Sequence, residues 1–100
     1  VEDMAGMFYK SKFNRDISDW DVSNVEDMSE MFFKSEFNGN ISEWNVSNVE
    51  DMSEMFMNSQ FNRNISKWTI NCKCNMTDMY KNTKIKANHK AFKPKDCLNK

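Results

Sequence analysis

The sequence predicts an α/β solenoid, a stack of similar units that each hold one short helix and one short parallel β-strand. The first observation is a repeat of 24 residues: VEDMSEMFFKSEFNGNISEWNVSN at 25–48 is followed by VEDMSEMFMNSQFNRNISKWTINC at 49–72. A period of 20–50 residues is typical of solenoids, in which each unit buries its apolar face on its neighbours. The second observation is that two different apolar patterns alternate within each unit.

The first half of each unit has the apolar spacing of a helix. Val25, Met28, Met31 and Phe32 lie at i, i+3, i+6 and i+7, which places them on one helical face. Ser23 precedes them and Glu26 follows three residues later, which is the pattern of a capping box. We therefore expect short helices at residues 1–10, 25–34, 49–58 and 73–82.

The second half of each unit favours a strand between bends. Ile17, Trp20 and Val22 alternate with polar residues, and β-branched and aromatic side chains are typical of strands. Asn, Asp and Ser residues on either side supply the bends. We expect strands at residues 17–21, 41–45 and 65–69, which would lie parallel and about 4.8 Å apart in a stack.

Stacking would turn each repeated position into a column of like side chains. We expect the Phe, Ile, Trp and Val columns to point inward, and we interpret the methionines at helical spacing as further core. An Asn column is interpreted as satisfying the backbone of tight bends. These columns are Phe13, Phe37, Phe61; Ile17, Ile41, Ile65; Trp20, Trp44, Trp68; Val22, Val46, Ile70; and Asn14, Asn38, Asn62.

The repeats divide the chain into three regular units, residues 1–24, 25–48 and 49–72, and a degenerate fourth unit, residues 73–100. In the fourth unit Ile85, His89 and Phe92 stand where Phe, Ile and Trp are expected. We expect this unit to act as a C-terminal cap, as the last units of repeat proteins do. The chain begins in mid-unit, which we interpret as a segment of a longer protein.

Charge is divided unevenly between the regular units and the cap. Residues 1–72 carry six basic and thirteen acidic groups, a net of −7, whereas residues 73–100 have a net of +6. The lysines of the cap are not interleaved with the aromatic residues that nucleic-acid stacking needs, so we expect no nucleic-acid partner. No apolar run has the roughly 18 residues of a membrane span, and we expect no membrane insertion by this segment.

The repeat F-N-x-x-I-S-x-W-x-V-S-N-V-x-D-M-S-x-M-F, present over residues 1–80, resembles the BspA-like repeats, also called DUF285 repeats. The resemblance implies a right-handed, leucine-rich-repeat-like stack. Members of this group are mostly surface proteins, and their suggested roles are adhesion and protein binding. The resemblance brings no catalytic residues.

The residue types of catalytic and metal sites are few. The only histidine, His89, lies in the cap, and no Gly-rich phosphate loop is present, so we expect neither an enzyme nor a cofactor. The cysteines allow three states: a disulfide from Cys97 to Cys72 or Cys74, reduced thiols, or a zinc site with His89. Glycosylation also stays open, because four residues begin N-x-S/T sequons: Asn40, Asn45, Asn64 and Asn75.

Positions that vary between units are the candidate partner face, because packing does not fix them; the alternative is that they are simply solvated. We expect them to flank the strand and face outward. They include Arg15, Asp16, Asp19, Asp21, Glu43, Asn45, Arg63, Lys67 and Thr69. The expected function is a non-enzymatic module for protein binding or adhesion in a surface-displayed protein. The alternative is a structural component of a virus particle or another large assembly.

Overall fold

The computed structural model describes residues 3–94 and residue 97. Within this part of the chain, regular secondary structure amounts to a three-residue 3-10 helix, Ala87–His89, and to isolated parallel β-bridges. The bridges join Asp3 to Asp27, Asp27 to Asp51 and Asp51 to Asn75. Each bridge therefore connects equivalent residues of successive units, 24 positions apart.

The predicted α/β solenoid is wrong. In residues 3–94 the structure has no α-helix at any of the four predicted positions and no strand at residues 17–21, 41–45 or 65–69. The units instead consist of successive β-turns, each closed by a hydrogen bond from the N–H of residue i+3 to the carbonyl of residue i. The described part of the chain has no sheet, and the units are joined instead by hydrogen bonds between equivalent turns.

A run of overlapping turns replaces the predicted helix of residues 25–34. Met31, Phe33 and Ser35 donate their N–H groups to the carbonyls three residues earlier, at distances of 3.2, 3.2 and 3.0 Å. The alternate N–H groups, which an α-helix would direct to residue i−4, are donated to the next unit. Each goes from residue i to the carbonyl of residue i+23, as from Met28 to Asp51 at 2.8 Å.

Backbone dihedrals in this turn run are incompatible with a helix. Glu30 has a φ of 55° and Lys34 a φ of 54°, in the left-handed region that L-residues rarely adopt. The third unit repeats the same two conformations at Glu54 and Asn58. The Ser23–Glu26 capping box is also absent, because the Ser23 hydroxyl donates to the Asp21 carboxylate at 2.6 Å.

The predicted strands are replaced by turns as well. Trp44 donates its N–H to the carbonyl of Ile41 at 3.2 Å, and Val49 donates to Val46 at 3.1 Å. Adjacent units are joined here by side chains: the indole Nε1 of Trp44 donates to the carbonyl of Ile17 at 3.1 Å. Trp68 makes the equivalent bond to Ile41 at 2.9 Å.

The apolar columns form the core in the second and third units. Phe37, Phe61, Ile41 and Ile65 are fully buried there, and the rings stack from one unit to the next at centroid distances such as 6.2 Å for Phe37 and Phe61. The ends of the stack differ from the prediction. Trp20 is 39% exposed and Phe92 is 64% exposed, so the inward-facing tryptophans are Trp44 and Trp68.

The Asn side chains connect successive units and do not stabilise the bends of their own units. The amide oxygen of Asn14 accepts the backbone N–H of Asn38 at 2.9 Å, and Asn38 accepts the N–H of Asn62 at 2.8 Å. Asn62 continues the series by accepting the N–H of Lys86 at 2.9 Å. These side chains satisfy backbone groups, as expected, but the groups belong to the following unit.

Candidate functional site

We use the term outward face for the nine candidate partner residues together with the other members of their columns, Gly39, Asn40 and Asn64. The nine predicted residues are all exposed: Arg15, Asp16, Asp19, Asp21, Glu43, Asn45, Arg63, Lys67 and Thr69. The turns of the second half of each unit carry them, in place of the strands that were predicted to do so.

One column of the outward face shapes the turns. The Oδ1 atoms of Asp16, Asn40 and Asn64 each accept the backbone N–H of the residue two positions later, at 2.9–3.0 Å. Such Asx turns need one oxygen acceptor, which Asp and Asn supply equally well. The variation between Asp and Asn in this column is therefore explained by local structure.

The column of Asp21 and Asn45 forms similar turns in the first and second units. Asp21 accepts both the N–H and the hydroxyl of Ser23, and Asn45 accepts both groups of Ser47. The hydrogen bond from the Ser23 hydroxyl, followed by that from its N–H, lowers the pKa of Asp21. The corresponding bonds from Ser18 lower the pKa of Asp16.

The same geometry accounts for the glycosylation sequons. In Asn64-Ile-Ser66 the amide oxygen accepts the serine N–H at 2.9 Å and its hydroxyl at 2.6 Å. Asn75 binds both groups of Thr77 in the same way. An acceptor at residue i and a hydroxyl at residue i+2 thus follow from the turn, which makes the sequon a by-product of the repeat.

Two columns remain whose side chains differ in charge between units. Arg15, Gly39 and Arg63 form one of them. At Gly39 a Cβ would lie 2.8 Å from the Phe37 ring, so the buried ring leaves no room for a side chain in the second unit. The column therefore has a gap beside Arg63.

The other charged column runs from acidic to basic through Asp19, Glu43 and Lys67. Together with Asp16 and Asp21, Asp19 makes the first unit acidic on this face. Arg63 and Lys67 make the third unit basic. The outward face thus carries a charge gradient along the stack.

A shallow cleft of about 270 Å³ opens between the second and third units of the outward face. Arg63 is held across the boundary, because its Nε–H donates to the carbonyl of Asn38 at 2.9 Å. This bond leaves the terminal amino groups of the guanidinium for other partners. The cleft is lined by Asn40, Ser42, Arg63, Asn64 and Lys67.

The sequence singled out Arg63 and Lys67 but missed Ser42. A serine occurs at this position in all three regular units, as Ser18, Ser42 and Ser66, and the criterion of variation between units excluded it. Asn40 and Asn64 were recognised as the first residues of sequons and as members of a variable column, but not as parts of a cleft. The signal that could have found the cleft is Gly39, the one interruption of the arginine column.

The cysteines do not belong to the outward face. Cys72 and Cys97 form a disulfide, with their Cα atoms 5.4 Å apart, and Cys74 has a buried free thiol. Burial raises the pKa of Cys74 to about 11. In residues 3–94 and 97 the structure has no cluster of three or more His, Cys, Asp or Glu residues that could hold a metal ion.

Two apolar surfaces lie beside the outward face, and Asp21 is the one residue that the first of them shares with that face. A cavity of about 330 Å³ is lined by Met4, Met7, Trp20, Asp21 and Val22 at the first unit. The second surface lies on the overlapping turns of the first and second units, where the ring centroids of Tyr9 and Phe33 are 4.9 Å apart. This second surface continues to Met57, which is partly exposed.

Comparison with known proteins identifies the family. A family model described as "Mycoplasma protein of unknown function, DUF285" matches residues 1–92. The chain belongs to the DUF285 family. This match confirms the resemblance seen in the repeat sequence. No curated protein and no solved structure matches the chain.

The description of the DUF285 family names no activity. In the part of this DUF285 chain that the structure describes, no helix has the length and apolar character needed to cross a bilayer.

Proposed function

We propose that this DUF285 chain is a non-enzymatic interaction module that binds a protein partner through its outward face. The observation that carries the proposal is the charge gradient along that face, from Asp19 in the first unit to Lys67 in the third. Packing does not require this gradient, since these side chains are exposed. Electrostatic complementarity sets the specificity and the rate of association more than it sets affinity.

The hydrogen-bonded stack supports this proposal because it presents the face on a fixed frame. Backbone bonds from residue i to residue i+23 and the indole bonds of Trp44 and Trp68 hold each unit on the next. Binding of a partner to several units then costs little conformational entropy, because the surface is already ordered, and such preorganisation raises affinity.

The disulfide supports a place at the cell surface or outside the cell. Cys72 and Cys97 are joined in the structure, and disulfides persist in oxidising compartments and are rare in the cytosol. A surface-displayed or extracellular module is therefore the setting that we propose. Mass spectrometry of the protein taken from intact cells checks this proposal, since a reduced Cys72 and Cys97 would count against it.

The test of binding reverses the charge gradient by substitutions at exposed residues, which leave the buried core unchanged. The chain is used as bait, and its partners are identified by cross-linking and mass spectrometry. The parent is compared with a double variant that combines Asp19→Lys and Lys67→Glu. We expect a discrete partner to be lost with the double variant, whose thermal unfolding midpoint should match that of the parent. The matched control is Glu26→Lys combined with Lys81→Glu, two exposed residues outside the outward face, and it should retain the partner.

Two outcomes contradict the proposal. If the double variant and the control retain the partner equally, the outward face is not the interface. If substitutions at Tyr9 and Phe33 then remove the partner, the interface lies on the stacked rings of the turn run.

A further inference from the structure

The cleft between the second and third units differs in charge from the other unit boundaries. Its lining contains two cations, Arg63 and Lys67, and no carboxylate. One unit earlier, the positions of these cations hold Gly39 and Glu43, and one unit later they hold Ala87 and Ala91. Of these three pairs of equivalent positions, only Arg63 and Lys67 hold two cations.

The orientation of the lining groups leaves donors available. The Nε–H of Arg63 is used by the carbonyl of Asn38, which holds the guanidinium near the second unit with its terminal amino groups unused by that bond. The amide oxygens of Asn40 and Asn64 accept N–H groups within their own turns. The Nδ2 groups at the other end of these amides then serve as donors.

We propose that this cleft binds a side-chain carboxylate of the protein partner, a Glu or Asp in an acidic segment. The inference rests on the proposed function and names the chemistry of the partner. The guanidinium of Arg63 offers paired N–H groups that match the two oxygens of a carboxylate. Lys67 supplies a second positive charge, and Ser42 supplies a hydroxyl donor.

The surroundings of the cleft favour a single carboxylate over a dense polyanion. Glu43 and Asp19 lie in the same column as Lys67, and residues 1–72 carry a net charge of −7. Nucleic acids and highly sulfated glycans would bring many charges close to these carboxylates, and like charges in close contact disfavour binding. A protein segment can place one carboxylate in the cleft and neutral or basic groups elsewhere.

The test uses as a probe the peptide Gly-Ser-Glu-Ser-Gly, acetylated at its N-terminus and amidated at its C-terminus so that Glu carries its only carboxylate. The peptide is added to the whole chain and followed by NMR shifts of backbone amides. We expect saturable shifts confined to the residues around the cleft, with Ser42 and Asn64 among them. Arg63→Gln and Lys67→Gln should each weaken binding about tenfold, the factor that corresponds to the loss of one charge-assisted hydrogen bond. The matched control is Arg15→Gln, the same substitution in the same column of the first unit, and it should bind as the parent does.

Three results would overturn the inference. The first is equal binding of a probe with Gln in place of Glu. The second is an equal loss of affinity with Arg15→Gln, which would show general charge attraction. The third is tighter binding of inorganic phosphate or of a sulfated disaccharide, which would assign the cleft to a different class of anion.

The two proposals can fail separately. If the peptide does not bind but Asp19→Lys alone removes the cross-linked partner, the interaction module stands and the carboxylate assignment fails. If the peptide binds and no face variant affects any partner, the cleft is a real anion site and the proposed function fails.

Discussion

Trp44 illustrates, at the scale of one residue, how a side chain joins two units. Its ring is 4% exposed, and its Nε1 donates to the carbonyl of Ile17 at 3.1 Å. The ring centroid lies 6.5 Å from that of Phe32. The indole therefore contributes apolar burial and also satisfies a backbone carbonyl of the preceding unit.

Trp44→Ala is expected to lower the free energy of unfolding by about 3–5 kcal/mol, the cost of truncating a large aromatic side chain in a core. Urea unfolding followed by circular dichroism measures the change. Trp20→Ala is the matched control at the equivalent position, where the ring is 39% exposed. It should cost clearly less, and equal losses would show that burial between units does not set the stability.

The Asp21 turn predicts a local dependence on pH. Hydrogen bonds from Ser23 lower the pKa of Asp21 below the ordinary value of 3.8. A carboxyl whose pKa is lowered in the folded state stabilises that state above the unfolded-state pKa, and the contribution is lost as the pH falls through the folded-state pKa. NMR titration of the carboxyl should show the midpoint below 3.8.

Ser23→Ala tests the cause of that shift. Removal of the hydroxyl donor, which is the largest contribution to the shift, should move the titration of Asp21 upward. An unchanged midpoint in Ser23→Ala would assign the shift to another group.

The turn run is the element in which the sequence-based prediction failed. Overlapping β-turns bury Met28, Met31 and Phe32, which is the same spacing that a helix would bury. Periodicity alone cannot separate the two structures. The two structures differ in the acceptors of the alternate N–H groups. In the turns these acceptors are carbonyls of the next unit, 23 residues later in the sequence, and a local apolar pattern contains no information about such distant acceptors.

Other parts of the architecture could be predicted because they depend on the repeat alone. Columns such as Phe37 and Phe61 are buried, and outward positions such as Asp19 and Lys67 are exposed. Gly39 marks the place of the cleft in the sequence, but the shape of the cleft could not be predicted, because it depends on the bond from Arg63 to Asn38 and on the position of the Phe37 ring beside Gly39.

Glu54 tests the turn run directly. Its φ is 55°, a conformation that Asn tolerates and that is strained for β-branched residues. Glu54→Val should lower the free energy of unfolding by about 1–2 kcal/mol, whereas Glu54→Asn should stay close to the parent. Chemical denaturation of the two variants gives the comparison, and equal stability would be evidence for a helix at this position.

At the scale of the whole molecule, the disulfide ties the end of the fourth unit to the end of the third. Cys72 and Cys97 are 25 residues apart in sequence. Cys74, two residues from Cys72, is fully buried, and its pKa of about 11 keeps the thiol protonated at neutral pH. The thiolate is the nucleophile in disulfide exchange, so burial and the raised pKa both disfavour attack by Cys74 on the disulfide.

Cys72→Ser is expected to lower the free energy of unfolding by about 3.5 kcal/mol, the chain-entropy value for a loop of this length. Thermal unfolding of the parent with and without a reductant provides the comparison. Reductant should lower the unfolding midpoint of the parent and leave that of Cys72→Ser unchanged. A midpoint of the parent that does not respond to reductant would show that the bond adds no stability.

The constant register of backbone bonds has a consequence at the level of the gene. In the bonds that join the turns of successive units, as from Met4 to Asp27 and from Met28 to Asp51, the acceptor lies 23 residues after the donor. Deletion of residues 25–48 joins Asn24 to Val49 and sets Met4 opposite Asp51, whose carbonyl already accepts such a bond from Met28. Unequal recombination between neighbouring repeats would thus lengthen or shorten the protein by whole units without a new fold. A lineage could change the reach of such a protein, and reorder its charged units, in single genetic steps.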